Sequence, residues 1–246
     1  MHKSFIAKAA QPAAIYLFTV SGFEALGDDP FSGAKALAKG QGFTGGAGQL
    51  VMQAGKDGKV SHVLAGLGNG HDALGVASVA AKLPEGDYAI AADGGLGFPQ
   101  IAAGWADGAY RFDRYLSEKA KPPRLVIPAG EDTGAISREA DAAAHLRDLV
   151  NTPASDMGPE ALQAEVAALA KQFGATLNVI VGEDLLKQNY PLVHAVGRAA
   201  TFAPRFLELE WGDPSHPKLA LVGKGVTFDS GGLNIKGGDG MRIMKK

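Results

Sequence analysis

The sequence predicts an α/β fold, and three observations lead to this prediction. Short apolar runs alternate with alanine-rich stretches of helical spacing, which is typical of strands and helices in turn. Glycine and proline separate these runs, with 34 glycines and 13 prolines in 246 residues. An apolar content of 46% beside 20% charged residues is ordinary for a protein with a hydrophobic core.

Composition also excludes some classes of site and partner. The chain contains no cysteine, which excludes disulfides and thiolate metal ligands. The net charge is −2, which does not favour nucleic acid or an acidic membrane as a partner. No apolar run approaches the roughly 18 residues that a membrane span needs.

The elements of the first half follow one another in regular order. Apolar runs bounded by glycine or proline predict strands over residues 15–20, 60–67, 88–92 and 124–127. Alanine-rich stretches predict helices over residues 73–83 and 101–116. Arg111 and Arg114 belong to the second of these helices, and we interpret them as part of its solvent-exposed face.

A glycine-rich loop connects the strand at 60–67 to the helix at 73–83. Gly66, Gly68 and Gly70 leave room for an anion at the helix N-terminus. His71 stands where a dinucleotide-binding fingerprint has its third glycine, so that fingerprint is incomplete. A tight connection without a ligand explains the same glycines.

A long helix is predicted over residues 133–150, because apolar residues recur there at helical spacing. Asn151-Thr152-Pro153 ends it, since the residue before proline is disfavoured in the α region. His145 lies in mid-helix and is interpreted as a packing or surface residue. We therefore predict an N-terminal α/β domain at 1–132, a linking helix at 133–151 and a second domain at 152–246.

The second half begins with a clear helix. Pro159 suits a first helical position, an apolar stripe continues to Phe173, and Gly174 is a predicted C-cap. Strands are predicted at 177–181 and 206–211, and alternation in the latter places Glu208 and Glu210 in solvent at a sheet edge. Residues 192–196 are predicted to be a tightly packed segment.

The stretch Lys218–Lys236 carries the unusual chemistry. Residues 219–222 predict a buried strand, and Lys224, Asp229 and Lys236 follow it in a loop rich in glycine. Asp229 could pair with either lysine, or hold a cation that also binds a neutral lysine amine. A plain turn with surface lysines is the alternative. A phosphate-binding P-loop is excluded, because its glycine and Ser/Thr positions are missing.

The segment VGKGVTFDSGGLNIK, residues 222–236, closely resembles the signature of the leucine (cytosol) aminopeptidase family of two-metal exopeptidases. Leu149-Val-Asn-Thr-Pro-Ala-Ser155 is similar to the start of that family's catalytic domain. Tyr110-Arg-Phe-Asp-Arg-Tyr115 is a looser match. The resemblance implies an N-terminal domain with a macro-domain-like α/β fold, followed by the start of an α/β metallopeptidase catalytic domain.

The resemblance also implies roles for individual residues. Lys224 and Asp229 match metal ligands, and Lys236 matches the catalytic lysine that holds the scissile carbonyl. Met244 matches a residue of the pocket for the substrate's first side chain, with core packing as the alternative. The implied cofactors are two divalent metal ions, Mn or Zn, with Mg and Co as further candidates.

The resemblance further implies a cytoplasmic, homo-hexameric aminopeptidase that removes Leu-like N-terminal residues from peptides. The sequence departs from the family pattern in one respect. The family's further acidic metal ligands would come after Lys246, and Asp239 matches none of them. We therefore expect a chain that ends partway through the catalytic domain and is inactive alone. A non-catalytic module that binds a nucleotide, nucleic acid or protein through its N-terminal domain is the competing hypothesis.

Overall fold

The computed structural model describes residues 1–27, 33–70, 72–119 and 121–245. Within these ranges the strands are β1 (Phe5–Ile6), β2 (Ala13–Thr19), β3 (Leu50–Ala54), β4 (Val60–Gly68), β5 (Asp87–Ala92), β6 (Arg124–Val126), β7 (Thr176–Val181) and β8 (Arg205–Glu210). The helices are α1 (Val20–Glu24), α2 (Ala34–Gly40), α3 (Ala73–Ala80), α4 (Phe98–Ala109), α5 (Thr133–Asn151), α6 (Pro159–Phe173), α7 (Asp184–Lys187), α8 (Pro191–Gly197) and α9 (Gly238–Arg242). The chain divides into two compact units, Met1–Arg147 and Asp148–Lys246.

The first unit is built on one sheet with the strand order β1-β6-β5-β2-β4-β3. Neighbouring strands are parallel except for β3, which runs antiparallel to β4 at the edge. Parallel strands need crossover connections, and the helices between these strands supply them. The predicted α/β class is therefore confirmed.

Apolar residues pack on both faces of this sheet. Along β2, Ile15 and Leu17 point into a core that includes Trp105 and residues of α3, α4 and α5. Phe18 belongs to a smaller core on the opposite face, with Phe23 and residues of α2 and β3. Because successive side chains of a strand alternate between its faces, β2 contributes to both cores.

The sequence predicted the interior strands of this unit well and one helix end poorly. The strands expected at 60–67, 88–92 and 124–127 are confirmed. The helix expected to reach residue 116 ends at Ala109, where Tyr110 turns to an extended conformation. Arg111 donates hydrogen bonds to the carbonyl oxygens of Gly108, Tyr110 and Ala81, so it closes helix ends instead of lining an exposed helix face.

Helix α5 covers Thr133–Asn151, which confirms the long helix predicted between the two halves. Its residues Ile136 and Ala140 are buried in the first unit's core. The division between the compact units, after Arg147, falls within this helix. The threefold scheme with a separate linking segment remains a prediction.

The second unit contains α6 and a two-stranded antiparallel sheet formed by β7 and β8. Pro159 opens α6 and Gly174 ends it with a φ of 66°, both as predicted. Glu208 and Glu210 on β8 are exposed, so their predicted solvent-facing position is confirmed.

Two predictions for this unit are wrong. Residues 219–222 form no strand, and Leu219, Leu221 and Val222 are 83%, 87% and 98% exposed. A strand needs a neighbour for its backbone hydrogen bonds, and none of the described strands pairs with this run. Residues 192–196 lie in helix α8, where Leu192 and Val196 are exposed instead of tightly packed.

Candidate functional site

The candidate site lies in the irregular segment between β8 and the short helix α9. A tight turn shapes its centre, with positive φ angles at Gly231, Gly232 and Asn234 of 79°, 101° and 59°. The Lys236 amide donates to the Ser230 carbonyl, and the Ser230 hydroxyl donates to the Gly232 carbonyl. The chain therefore folds back so that residues 229 and 236 meet.

Gly231 is required at this turn for two reasons. Its φ of 79° lies in a region that residues with a Cβ rarely adopt. A Cβ there would also lie 2.9 Å from Cγ of Lys236. The absence of a side chain at position 231 thus lets Lys236 cross the turn toward Asp229.

Asp229 and Lys236 form an ion pair in which Nζ lies 2.8 Å from Oδ2. The other carboxylate oxygen, Oδ1, accepts a hydrogen bond from the Gly231 amide at 2.8 Å. The side chains of Lys236 and Asp229 are 32% and 47% exposed, so solvent screens the pair in part. Two of the three predicted polar site residues are therefore in direct contact.

These contacts favour the ionised form of Asp229. The hydrogen bond from Lys236 is the largest cause that lowers the pKa of Asp229, followed by the bond from the Gly231 amide. Burial opposes them, and the positive charges of Lys236 and Lys224 add smaller lowering effects. The carboxylate is thus held as an anion by cationic and amide donors.

Met244 also touches Lys236. The thioether sulfur of Met244 lies 3.1 Å from Lys236 Nζ. The following residue, Lys245, donates from Nζ to the Leu149 carbonyl at 2.9 Å, and burial lowers the pKa of Lys245. The structure therefore groups Asp229, Lys236 and Met244, with Lys245 connecting the end of the segment to the end of α5.

Lys224 stands apart from these direct contacts. It is exposed, and its charge reaches Asp229 only through space. The sequence predicted that Lys224 directly follows a buried strand, and burial of its amine would favour the neutral form that metal ligation requires. Lys224 is not buried in the structure, and the preceding run of residues 219–222 is also exposed.

The donor set does not complete a two-metal centre. Two adjacent divalent ions repel each other and need several carboxylates to offset their charge. Within the described ranges, no three His, Cys, Asp or Glu side chains gather into a metal-binding group. The residues of the structure therefore do not by themselves fit a full site for two ions.

The glycine-rich loop of the first unit shows no anion site among its described residues. Asp72 caps helix α3 by accepting from the Gly75 amide at 3.1 Å, which places a carboxylate where an anion would bind. A Cβ on Gly66 would overlap the Gly46 carbonyl, so close backbone packing explains this glycine. His71, which interrupts the fingerprint, lies outside the described residues.

The sequence pattern identified the charged site residues but not what brings them together. The sequence did not distinguish Gly231 from the other glycines of the loop. It also did not predict that the Lys236 side chain passes over Gly231. The Asp-Ser-Gly-Gly run was the available signal, since Asp commonly accepts from an amide two residues onward in a turn. The looser match at Tyr110–Tyr115 includes Arg111, whose observed contacts are with helix-end carbonyls.

Comparison with known proteins agrees with the fold class and the site segment. The model of the M17 aminopeptidase N-terminal domain matches residues 16–128. The model of the cytosol aminopeptidase family catalytic domain matches residues 144–246. The chain is thus a mixed α/β protein in which models of two successive domains of one family match most of the residues. It belongs to the M17, or cytosol aminopeptidase, family.

Individual relatives support this membership. A probable cytosol aminopeptidase of Aquifex aeolicus is 39% identical over 153 residues, which cover 59% of this chain and 31% of the relative. A probable cytosol aminopeptidase of Picosynechococcus is 31% identical over 247 residues, covering 89% of this chain and 50% of the relative. The chain thus spans half or less of these relatives' lengths.

Solved structures show the same fold over nearly the whole chain. The cytosol aminopeptidase of Coxiella burnetii matches with a TM-score of 0.84 and 29% identity, over 99% of this chain and 54% of that one. The bottromycin maturation enzyme BotP, solved in complex with Mn, matches with a TM-score of 0.72 and 28% identity, over 96% of this chain and 52% of that one. No helix in the described ranges is long and apolar enough to cross a membrane.

Proposed function

We propose that this chain belongs to a metal-dependent aminopeptidase that releases N-terminal residues, preferably Leu-like ones, from peptides. One observation supports this most strongly. The catalytic-domain model of the family matches residues 144–246, a range that contains Lys224, Asp229 and Lys236. The complete activity would need further acidic ligands, because the described residues hold no full metal-binding group.

Asp229 and Lys224 are the proposed metal ligands. The contacts that lower the pKa of Asp229 favour its ionised carboxylate, which suits a hard divalent cation. Lys224 would ligate through its neutral amine, so its pKa would have to fall on metal binding. An arginine could not replace it, since a guanidinium keeps its proton.

Lys236 is the proposed catalytic residue and also a substrate-binding residue. Its charged amine would donate to the scissile carbonyl oxygen and stabilise the negative charge that develops on it. Met244, 3.1 Å from that amine, would line the pocket for the substrate's first side chain. A flexible thioether side chain suits a Leu-like group.

The proposed cofactors are two divalent ions, which when bound would lower the pKa of a water and polarise the substrate carbonyl. Mn and Zn are the first candidates, and Mg and Co come next. The structure of BotP in complex with Mn supports Mn among them. We further propose a homo-hexameric, cytoplasmic enzyme. The relatives' names, cytosol aminopeptidases, support the compartment.

The test compares the 246-residue chain with a longer version that continues through the further carboxylates of the family motif. Both are assayed with leucine p-nitroanilide and added Mn²⁺ or Zn²⁺. We expect turnover only in the longer version, and weak or no metal binding by the 246-residue chain. Equal turnover in the two would show that the ligand count is wrong, and no turnover in the longer version would overturn the proposed function.

A further inference from the structure

The C-terminal end of helix α5 has a carbonyl that its own helix cannot satisfy. The Asp148 carbonyl accepts from the amide and the hydroxyl of Thr152, at 2.9 and 2.6 Å. The Leu149 carbonyl, one residue further, would accept from the amide of residue 153 in a continuing helix. That residue is Pro153, which has no N–H. The proline therefore ends the helix and also leaves the Leu149 carbonyl to a donor from elsewhere in the chain.

Lys245 supplies that donor. Its ammonium lies 2.9 Å from the carbonyl oxygen of Leu149, although the two residues are 96 positions apart in sequence. Carbonyls at a helix C-terminus carry partial negative charge, so a cation is favoured there. The contact removes the amine from water in part, because burial lowers the pKa of Lys245. A partly desolvated ammonium depends on its acceptor, so this contact is a defined part of the fold.

The contact bears on the candidate site because Lys245 directly follows Met244. The sulfur of Met244 lies 3.1 Å from Nζ of Lys236, the proposed catalytic lysine. Helix α9, just before Met244, is five residues long, and its described residues are not buried. Such a helix has little packing of its own to fix the residues that follow it. The donation to Leu149 therefore holds this part of the site from outside it.

We propose that Lys245 is a positioning residue that holds Met244 against Lys236. It does so by donating to the carbonyl that Pro153 leaves without a helical donor. This inference rests on the proposed function, in which Met244 lines the pocket for the substrate's first side chain. Lys245 acts through Met244, so it governs how well the pocket fits a Leu-like group.

The first test follows backbone hydrogen exchange of residues 238–244 in the 246-residue chain by mass spectrometry. Lys245→Met removes the ammonium and keeps a side chain of similar length, so exchange should become about tenfold faster. Lys245→Arg keeps a cationic donor and should stay within about twofold of the wild type. Arg242→Gln removes an exposed positive charge from α9 and should exchange like the wild type. Unchanged exchange in Lys245→Met, or equal acceleration in Arg242→Gln, would overturn the inference.

Pro153→Ala tests why the carbonyl needs Lys245. An amide at position 153 can donate to the Leu149 carbonyl in place of the ammonium. In the Pro153→Ala background, Lys245→Met should therefore accelerate exchange by no more than about twofold, because the two changes act on one contact. The same tenfold acceleration in both backgrounds would also overturn the inference.

The second test separates positioning from a purely structural role. In the longer version of the enzyme, kcat/KM is measured with leucine and alanine p-nitroanilide. Lys245→Met should lower the preference for leucine by about tenfold, because a displaced Met244 fits the larger side chain poorly. Lys245→Arg should keep most of that preference.

Two results of the second test would count against the proposals, and they are distinguishable. An equal loss with both substrates, or no loss in Lys245→Met, would overturn the positioning role. A wild type without turnover would overturn the proposed function itself. In that case the exchange rates of the 246-residue chain still decide whether Lys245 holds the segment that carries Met244.

Discussion

Two apolar runs of the chain have similar sequences, but one forms a buried strand and the other is exposed and irregular. In β4, Val63, Leu64 and Ala65 are fully buried, with β2 on one side and β3 on the other. In the run at 219–222, the apolar side chains are exposed and no described strand adjoins them. An apolar run therefore indicates a capacity to form a strand, while neighbouring strands decide whether it forms one.

The largest expected effect compares one leucine from each run. Leu64→Ala should lower the free energy of unfolding by about 2–5 kcal/mol, because it removes a buried side chain and leaves a cavity. Leu221→Ala should change it by no more than about 0.5 kcal/mol, because Leu221 is exposed. Urea unfolding of both variants measures the two values, and similar losses would refute the comparison.

The second prediction concerns Lys236, which we expect to affect the rate of catalysis strongly and the stability of the fold little. In the longer version of the enzyme, Lys236→Ala should lower kcat about a hundredfold or more, because it removes the proposed donor to the developing oxyanion. Metal content should be retained, since Lys236 is not a proposed ligand. Thermal unfolding serves as the control and should change little. Loss of metal from the variant would reverse the roles given to Lys224 and Lys236.

A third prediction compares a glycine in tightly packed β4 with a glycine in the exposed segment after residue 222. Gly66→Ala should destabilise the chain by roughly 1–3 kcal/mol, because the new Cβ would overlap the Gly46 carbonyl and force the backbone apart. Gly223→Ala meets nothing within 4 Å and should be close to neutral. The measurement is the midpoint of urea unfolding, and a neutral Gly66→Ala would show that β4 packs loosely against the backbone at Gly46.

The smallest effect concerns pH. His2 is buried, with Nδ1 2.7 Å from the Ser4 hydroxyl, and burial is the main cause that lowers the pKa of His2. The unfolded chain therefore binds a proton more readily, so stability should fall as pH drops from about 7.5 to about 5.5. The acid-induced drop in melting temperature should be smaller in His2→Gln than in the wild type. His216→Gln, at an exposed histidine, should retain the full drop.

Sequence reasoning succeeded where the local pattern and the environment agree. Pro159 begins helix α6 and Gly174 caps its C-terminus, so the sequence predicted both ends of this helix correctly. Strand β4 and helix α5 have long, regular patterns. The prediction failed for residues 219–222, because strand pairing is non-local. It also missed β3, a strand of five residues at the edge of the sheet, which shows no regular alternation of apolar and polar residues.

The candidate site was predictable in its residues and not in its contacts. The charged residues of the motif were named from their resemblance to a family, and that family is confirmed. The sequence alone could not decide whether Asp229 pairs with Lys224, with Lys236 or with a cation, because a glycine-rich loop does not reveal its path. The metal and catalytic roles remain predictions.

Arg111 has a consequence for how the first unit unfolds. Its guanidinium binds carbonyls at the C-terminal ends of both α3 and α4. The same helices approach so closely that a Cβ on Gly104 or Gly108 would overlap the backbone of α3. Opening either helix would therefore break contacts of the other, so we expect α3 and α4 to unfold as one cooperative unit. A lysine at position 111 could not replace the forked donor and would leave the two ends to fray independently.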